Sequence, residues 1–147
     1  MNLQKYTQKS IEAIQNTQTV AAEYQNPQIE QQHLLYTLLT QQDGLIPQLL
    51  INIGVNINGI VNKVQEEIAK LPHVSGSREA TKVYISSDVD KVFVKSEKLA
   101  DSMKDDYVSV EHLFLSLITS PNSILKKIFE EYNIDRTNFT KALVKIR

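Results

Sequence analysis

The sequence contains no cysteine among its 147 residues. This absence excludes disulfide bonds, thiolate nucleophiles and zinc sites built on sulfur, and it is typical of proteins from a reducing compartment. Glycine and proline are also scarce, with 4 residues of each. Because a sandwich or barrel of many short strands needs more turn residues than this, the composition favours helices.

The chain has neither an excess of charge of one sign nor a long hydrophobic run. Its 16 Lys and Arg residues stand against 17 Asp and Glu residues, for a net charge of −1. This balance argues against a nucleic-acid binder, because such domains are usually strongly basic. No stretch approaches the roughly 18 apolar residues of a membrane span, and the first residues lack the apolar core of a signal peptide. We therefore expect a cytoplasmic protein of one domain, with no nucleic-acid and no membrane partner.

An internal repeat is the clearest pattern in the sequence. Residues 32–40 (QHLLYTLLT) resemble residues 111–119 (EHLFLSLIT), and the same offset of 79 positions relates residues 13–64 to residues 92–143 without a gap. Within each copy, apolar residues recur at the i, i+3, i+4, i+7 spacing of amphipathic helices. The equivalent residues that precede the fourth helix of each copy are good N-cap types: Asn56 and Asp135.

The repeat predicts an all-α fold, in which two pseudo-twofold-related four-helix repeats form one globular domain over residues 1–147. Repeat one takes about residues 1–71, a linker about residues 72–86, and repeat two about residues 87–147. An apolar extended run at the end of the linker, residues 83–85, is expected to lie on the core. Because a four-helix unit of this size has a thin core, we expect the two repeats to bury a shared face.

One segment has the spacing of a phosphate-binding loop but lacks its chemistry. Residues 54–59 (GVNING) are followed by Ile60 and Val61, where a lysine and a hydroxyl residue are required. The repeat offers another explanation, since Gly54 is equivalent to Asn133 and both residue types tolerate the left-handed backbone that follows a helix. We therefore expect a helix connection here and no nucleotide site.

Two of the three histidines, His33 and His112, are repeat equivalents, and each immediately precedes a leucine-rich helical face. Neither has a histidine or carboxylate one helical turn later, where a metal site would need a second ligand. We expect both to be structural residues at helix starts. The chain has no thiol and no G-x-S-x-G motif. We therefore expect no catalytic residues and no metal site, and we expect that this chain is not an enzyme.

The two copies differ most at one loop and the helix start that follows it. Residues 26–28 (NPQ) correspond to residues 105–107 (DDY), and Gln32 corresponds to Glu111. The second copy thus gains carboxylates around Tyr107. Carboxylates near a helix N-terminus are stabilised by the helix dipole, which is one sufficient reason for them. The alternative is an acidic, partly aromatic edge of a binding groove.

These residues resemble a known family, the Clp N-terminal domain that heads the AAA+ unfoldases and disaggregases of bacteria. Residues 29–35 (IEQQHLL) and 108–117 (VSVEHLFLSL) carry the duplicated motif, and the resemblance covers essentially the whole chain. Three further segments are most similar to the ClpB branch: residues 5–10 (KYTQKS), 71–76 (LPHVSG) and 105–113 (DDYVSVEHL).

The resemblance implies a non-catalytic domain joined to two ATPase rings of a parent hexamer. Its partners would be those ATPase modules and unfolded or aggregated proteins, which it would engage for delivery to the pore. ATP and magnesium would act in the rings, which lie outside this chain, so no cofactor is expected here, and the isolated domain is expected to be a monomer. An adaptor-docking domain of a ClpC- or ClpA-type unfoldase is the alternative, although the ClpC branch usually carries Gly-Thr-Glu-His where residues 30–33 read EQQH.

The resemblance also implies which residues contact the substrate. The family's polar contacts fall on Thr7, Asp105 and Glu111. For Thr7, which precedes a predicted helix, an N-capping role is the alternative. The resemblance further implies an apolar groove between the repeats, and proximity in sequence to the polar contacts predicts its walls: Leu3, Tyr6, Leu99 and Tyr107.

Overall fold

Eight α-helices in two series of four make up most of the structure, a computed structural model that describes residues 2–74 and 83–147. After a 3-10 turn at Leu3–Lys5, the first series is α1 (Gln8–Glu23), β1 (Gln28–Ile29), α2 (Gln31–Thr40), α3 (Leu45–Asn52) and α4 (Ile57–Ala69). The second is β2 (Tyr84–Ile85), α5 (Ser87–Ser102), α6 (Val110–Thr119), α7 (Ser123–Glu131) and α8 (Arg136–Ile146). The predicted all-α fold of two four-helix repeats is confirmed. Residues 75–82, in the middle of the predicted linker, lie outside the described residues.

Backbone conformations recur at the offset of 79 residues. Gln25 and Lys104 have φ angles of 57° and 60°, while Gly54 and Asn133 have φ angles of 88° and 56°. Each of the four follows the C-cap residue of a helix, where a left-handed residue turns the chain away from the helix axis. The predicted equivalence of Gly54 and Asn133 is confirmed, and residues 54–59 form the connection from α3 into α4.

Equivalent side chains begin equivalent helices. The Gly59 N–H donates to Asn56 Oδ1 at 3.0 Å at the start of α4, and the Asn138 N–H donates to Asp135 Oδ1 at 2.8 Å at the start of α8. Both predicted N-caps are therefore confirmed. Each cap satisfies one of the amide groups that the first turn of a helix leaves without an intrahelical partner.

In each repeat, the residues just before the first helix, which we call the leading segment, pair with the other repeat. Ile85, which leads into α5, pairs in parallel with Ile29 in the loop between α1 and α2. Tyr6, which leads into α1, pairs in parallel with Val108 in the loop between α5 and α6. The two pairings are related by the 79-residue offset, so they are pseudo-twofold equivalents. As a result, the first helix of each repeat starts against the loop of the opposite repeat.

The strand that leads into α5 only partly meets the core. Val83 is buried, but Tyr84 and Ile85 are exposed, so the prediction that residues 83–85 lie on the core is right for Val83 alone. The physical reason is that β1 and β2 form a two-stranded pair, and no further element among the described residues pairs with it.

The core is continuous across both repeats and is centred on α2 and α6. These two helices are buried over most of their length and pack against each other, with α1 and α4 around α2 and with α5 and α8 around α6. In repeat two, the Phe114 ring lies 4.8 Å from the Phe139 ring and meets the Phe129 ring edge-on at 5.9 Å. Because one apolar cluster includes residues of all eight helices, the two repeats share a core.

The two buried histidines are positioned in the same way at the starts of α2 and α6. The Glu30 N–H donates to His33 Nδ1 at 2.8 Å, and the Ser109 N–H donates to His112 Nδ1 at 2.9 Å. Since Nδ1 accepts in both rings, Nε2 carries the proton. In repeat one it donates to Asn26 Oδ1 at 2.8 Å. The predicted structural role of the two histidines is confirmed.

The equivalent bond in repeat two has a charged acceptor. His112 Nε2 donates to Asp105 Oδ2 at 2.8 Å, whereas its counterpart His33 faces a neutral amide. Burial lowers the pKa of His33 to about 4, against a smaller opposing effect of its hydrogen bond with the Glu30 backbone. His33 is therefore held as the neutral imidazole in the folded protein at neutral pH.

Acidification is expected to destabilise the fold through His33. In the unfolded chain the imidazole takes up a proton as the pH falls below 6.5, while in the folded chain it does so only near pH 4. The contribution of neutral His33 is therefore complete above pH 6.5 and is lost between pH 6.5 and 4, by up to about 3 kcal/mol. Denaturant unfolding at pH 7 and at pH 5 measures this loss.

The second repeat supplies a variant that isolates this effect. Asn26→Asp places a carboxylate beside His33, as Asp105 stands beside His112, and should raise the pKa of His33. We expect a smaller loss of stability between pH 7 and pH 5, even though Asn26 no longer donates to the Pro72 carbonyl and the variant is less stable at pH 7. Asn16→Asp, on the exposed face of α1, is the matched control. An unchanged pH dependence in Asn26→Asp would contradict this account.

Candidate functional site

The polar residues predicted to contact substrate meet at one corner, formed by the segment before α1 and the loop before α6. The Thr7 N–H donates to the Val108 carbonyl at 2.9 Å, and the Val108 N–H donates to the Lys5 carbonyl at 2.8 Å. Asp105 and Glu111 each lie three residues from Val108 along the chain. We call Thr7, Asp105 and Glu111 the polar corner.

Thr7 is the N-cap of α1. Its Oγ1 accepts a hydrogen bond from the Ser10 N–H at 3.2 Å. The Ser10 hydroxyl in turn reaches the Thr7 and Val108 carbonyls at 2.8 and 2.9 Å. The capping alternative for Thr7 is therefore confirmed, and the same bonds tie the start of α1 to the loop of repeat two.

Both carboxylates of the polar corner bind the same guanidinium. Arg147 Nη1 lies 2.9 Å from Asp105 Oδ2, and Arg147 Nη2 lies 3.0 Å from Glu111 Oε2. The exposed fractions of the side chains are 26% for Asp105, 11% for Glu111 and 36% for Arg147. Asp105 thus accepts one hydrogen bond from His112 within its own repeat and another from Arg147, which follows α8.

Neighbouring donors keep both carboxylates ionised. Burial would raise the pKa of Asp105, but the hydrogen bonds from Arg147 and His112 outweigh it, so the pKa lies below its usual value. Burial likewise opposes ionisation of Glu111, and the Ser109 hydroxyl, the Glu111 backbone N–H and Arg147 together lower its pKa. At neutral pH the polar corner therefore holds two negative charges, and Arg147 places one positive charge against them.

Sequence reasoning missed Arg147, although the repeat contained a signal for it. The positions equivalent to Asp105, Glu111 and Arg147 in repeat one are Asn26, Gln32 and Ile68. All three are uncharged, so repeat two has gained two carboxylates and a guanidinium together. Charges that appear as a set of opposite signs are candidates for contact with one another.

The four predicted wall residues divide into a buried pair and an exposed pair. Tyr6 and Leu99 are buried in the core, and the Tyr6 hydroxyl donates to Glu97 Oε2 at 2.9 Å. Burial, with the hydrogen bond to Glu97 and its charge, raises the pKa of Tyr6. Leu3 and Tyr107 are 42% and 55% exposed. Since Leu3 precedes Tyr6 and Tyr107 precedes Val108, the exposed pair lies on the two segments that form the polar corner.

Clefts between the repeats open elsewhere on the domain. One of about 460 Å³ lies between α3 and α8, with Ile53 and Ala142 among its lining residues. Another of about 480 Å³ lies between α4 and α7, with Lys63 and Ile128 in its lining. The pseudo-twofold relates these two clefts, because α3 corresponds to α7 and α4 to α8. Neither cleft is lined by residues of the polar corner.

The described residues carry no constellation for metal chemistry. Within residues 2–74 and 83–147, no group of three or more histidines and carboxylates is arranged to hold a metal ion. Over the same residues, no single helix is long and apolar enough to cross a membrane. The pair α3 and α4 reaches that length only when it is joined across a bend of 120°.

Two helical repeats with exchanged leading segments and a shared core define a duplicated helical domain. Clp repeat (R) N-terminal domains match the chain over residues 5–141. The chain therefore belongs to the family of Clp repeat N-terminal domains.

A relative and two solved structures resemble this chain over nearly its whole length. The chaperone protein ClpB of Clostridium tetani is 33% identical over 148 aligned residues, covering 100% of this chain and 17% of the relative. The chain thus spans about one sixth of that relative's length. The Hsp104 N-terminal domain of Candida albicans superposes with a TM-score of 0.84 at 21% identity, covering 97% of this chain and 91% of that one. A ClpV N-domain in complex with a VipB peptide superposes with a TM-score of 0.72 at 18% identity, covering 96% and 86%.

We expect the fold to lose stability when the Thr7 cap is removed, and to regain it when serine provides the hydroxyl at the same position. Thr7→Ala should lower the free energy of unfolding by about 1 kcal/mol, because the Ser10 N–H loses its acceptor, and Thr7→Ser should restore most of it. Ser86→Ala removes the equivalent cap of α5, which accepts from the Val89 N–H, and should cost a similar amount. Denaturant unfolding measures all three; full stability of Thr7→Ala would show that the cap contributes nothing.

Proposed function

We propose that this chain is the substrate-engaging N-terminal domain of a ClpB-type, ATP-dependent protein disaggregase. In this role it binds unfolded or aggregated polypeptide for delivery to ATPase rings and performs no catalysis of its own. Membership of the Clp repeat family and the ClpB relatives at about one third identity support the assignment. Among residues of this chain, the observation that carries it is the polar corner with exposed Leu3 and Tyr107 beside it.

The chemistry of this surface suits a client without a fixed sequence. Exposed apolar side chains favour apolar segments of a client without demanding a particular order of residues, and nearby carboxylates bias binding toward segments with basic flanks. Affinity at one site would be weak, because a disordered client loses conformational entropy when it is held. Six domains in a hexamer would compensate through avidity.

Tyr107 and Leu3 are the residues of this surface that a client can contact without any rearrangement of the domain. Leu3 and Tyr107 have large exposed areas, whereas Tyr6 and Leu99 are buried and support the segments on which the other two stand. We therefore propose Leu3 and Tyr107 as direct contacts, Asp105 and Glu111 as the charged rim, and Thr7 as the residue that holds the α1 start against the Val108 loop.

The proposal is tested with one client protein that can be prepared in both an unfolded and a folded form. Lysozyme that has been reduced and alkylated with a neutral reagent is basic and unfolded, and native lysozyme is the matched folded control. Titration into the 15N-labelled domain should shift the amide signals of residues 3–10 and 105–111 with the unfolded form only. Shifts confined to the clefts at α3–α8 or α4–α7 would contradict the proposed site. Binding of folded partners alone would favour the adaptor-docking alternative.

Variants of the same surface give the expected size of the effect. Tyr107→Ser should weaken binding of unfolded lysozyme by about fivefold, since the contact loses apolar area. Ile51→Ser on α3, where Ile51 is also exposed, is the matched control and should bind as the unmodified domain does. Asp105→Asn combined with Glu111→Gln should weaken binding by roughly two- to tenfold at low salt and by less at high salt. Equal affinities of all these variants would overturn the assignment.

A further inference from the structure

The contact between Arg147 and the polar corner joins elements that are far apart in the sequence. Among ion pairs of the described residues, those made by lysine join neighbours on one helix, such as Lys63–Glu67 in α4. Arg147 instead reaches from the end of α8 to Asp105 and Glu111, and it gives one nitrogen to each carboxylate. A planar guanidinium suits this bridging geometry better than a lysine ammonium does.

The equivalent positions of repeat one carry no charges. In repeat one, Asn26 donates to the Pro72 carbonyl at 2.9 Å and accepts from His33. Gln32, the counterpart of Glu111, accepts from Asn122 Nδ2 at 3.0 Å. The same backbone positions are thus satisfied by neutral groups in one copy and by a charged set in the other. The charged set is therefore particular to repeat two.

Arg147 contacts the carboxylate oxygens that a cationic side chain of a client would bind. With the guanidinium in place, only 11% of the Glu111 side chain is exposed. Arg147 itself is 36% exposed, so its guanidinium regains hydration when it leaves the carboxylates, and this offsets part of the lost ion-pair energy. Withdrawal of Arg147 would leave Asp105 Oδ2 and Glu111 Oε2 without their cation, although Asp105 would still accept from His112.

We infer that Arg147 is an internal competitor for the polar corner, and that cationic side chains of a client bind Asp105 and Glu111 only when Arg147 withdraws. This inference rests on the proposed function, because it concerns the regulation of the same site. The apparent affinity for a cationic client is the intrinsic affinity multiplied by the fraction of molecules in which Arg147 has withdrawn. The affinity for a client without cationic side chains does not depend on that fraction.

Arg147→Gln tests the inference with a pair of matched peptides. One is an unstructured, fluorescein-labelled peptide of alternating leucine, arginine and serine, and the other has glutamine in place of each arginine. Fluorescence anisotropy at low salt should show Arg147→Gln binding the arginine peptide roughly two- to tenfold more tightly than the unmodified domain. The affinity for the glutamine peptide should not change.

Lys145→Gln is the charge-matched control, because Lys145 is an exposed residue of α8 that contacts neither carboxylate. It should leave the ratio of the two affinities near that of the unmodified domain. Arg147→Lys, which keeps the charge but cannot bridge both carboxylates as well, should fall between the unmodified domain and Arg147→Gln. A thermal unfolding curve for each variant confirms that it is folded.

The outcomes separate this inference from the proposed function. If Arg147→Gln binds the arginine peptide no more tightly than Lys145→Gln does, the competition is overturned while the binding function stands. A loss of stability in Arg147→Gln without a change in affinity would assign Arg147 a structural role and overturn it equally. If the unmodified domain and Arg147→Gln bind neither peptide, the proposed function and the inference both fail.

Discussion

The exchange of leading segments between the repeats is the constraint on which the rest of the structure depends. Pairing of Tyr6 with Val108, and of Ile85 with Ile29, sets where α1 and α5 begin. Each first helix is thereby anchored on the opposite repeat, and α2 and α6 meet in the shared core. The same pairing positions the polar corner, because the Thr7 amide and the Ser10 hydroxyl both bind the Val108 carbonyl.

A symmetric backbone here carries asymmetric chemistry. The left-handed residues and the histidine hydrogen bonds obey the 79-residue offset, since they satisfy backbone groups that both copies share. The side chains beside them have diverged: Asn26 is an amide that also satisfies a carbonyl, while its counterpart Asp105 is a carboxylate that needs a cation. Duplication thus provides two equivalent corners, and substitution at three positions makes only one of them charged.

The negative charge of that corner is partly compensated by Arg147. Two partly buried carboxylates would repel each other without a counter-charge, and Arg147 provides one from the same chain. In the proposed function, such a corner would favour weak and reversible contacts, because an external cation would compete with Arg147 for the two carboxylates.

The sequence by itself determined the repeat, the helices, their caps and the structural histidines, because each depends on interactions within a few residues along the chain. Hydrophobic periodicity, the side chains of Asn56 and Asp135, and the spacing of His33 from Glu30 are all local. The divergence of the two copies brought Asp105 and Glu111 to attention, and the resemblance to the family added Thr7. Only the tertiary structure decided that Tyr6 and Leu99 are buried while Leu3 and Tyr107 are exposed, and that Arg147 occupies the carboxylates. These outcomes depend on contacts between segments that are far apart in the sequence, such as Arg147 with Asp105 and Thr7 with Val108. Comparison of the two repeats marks the charged positions, but it does not show that they meet.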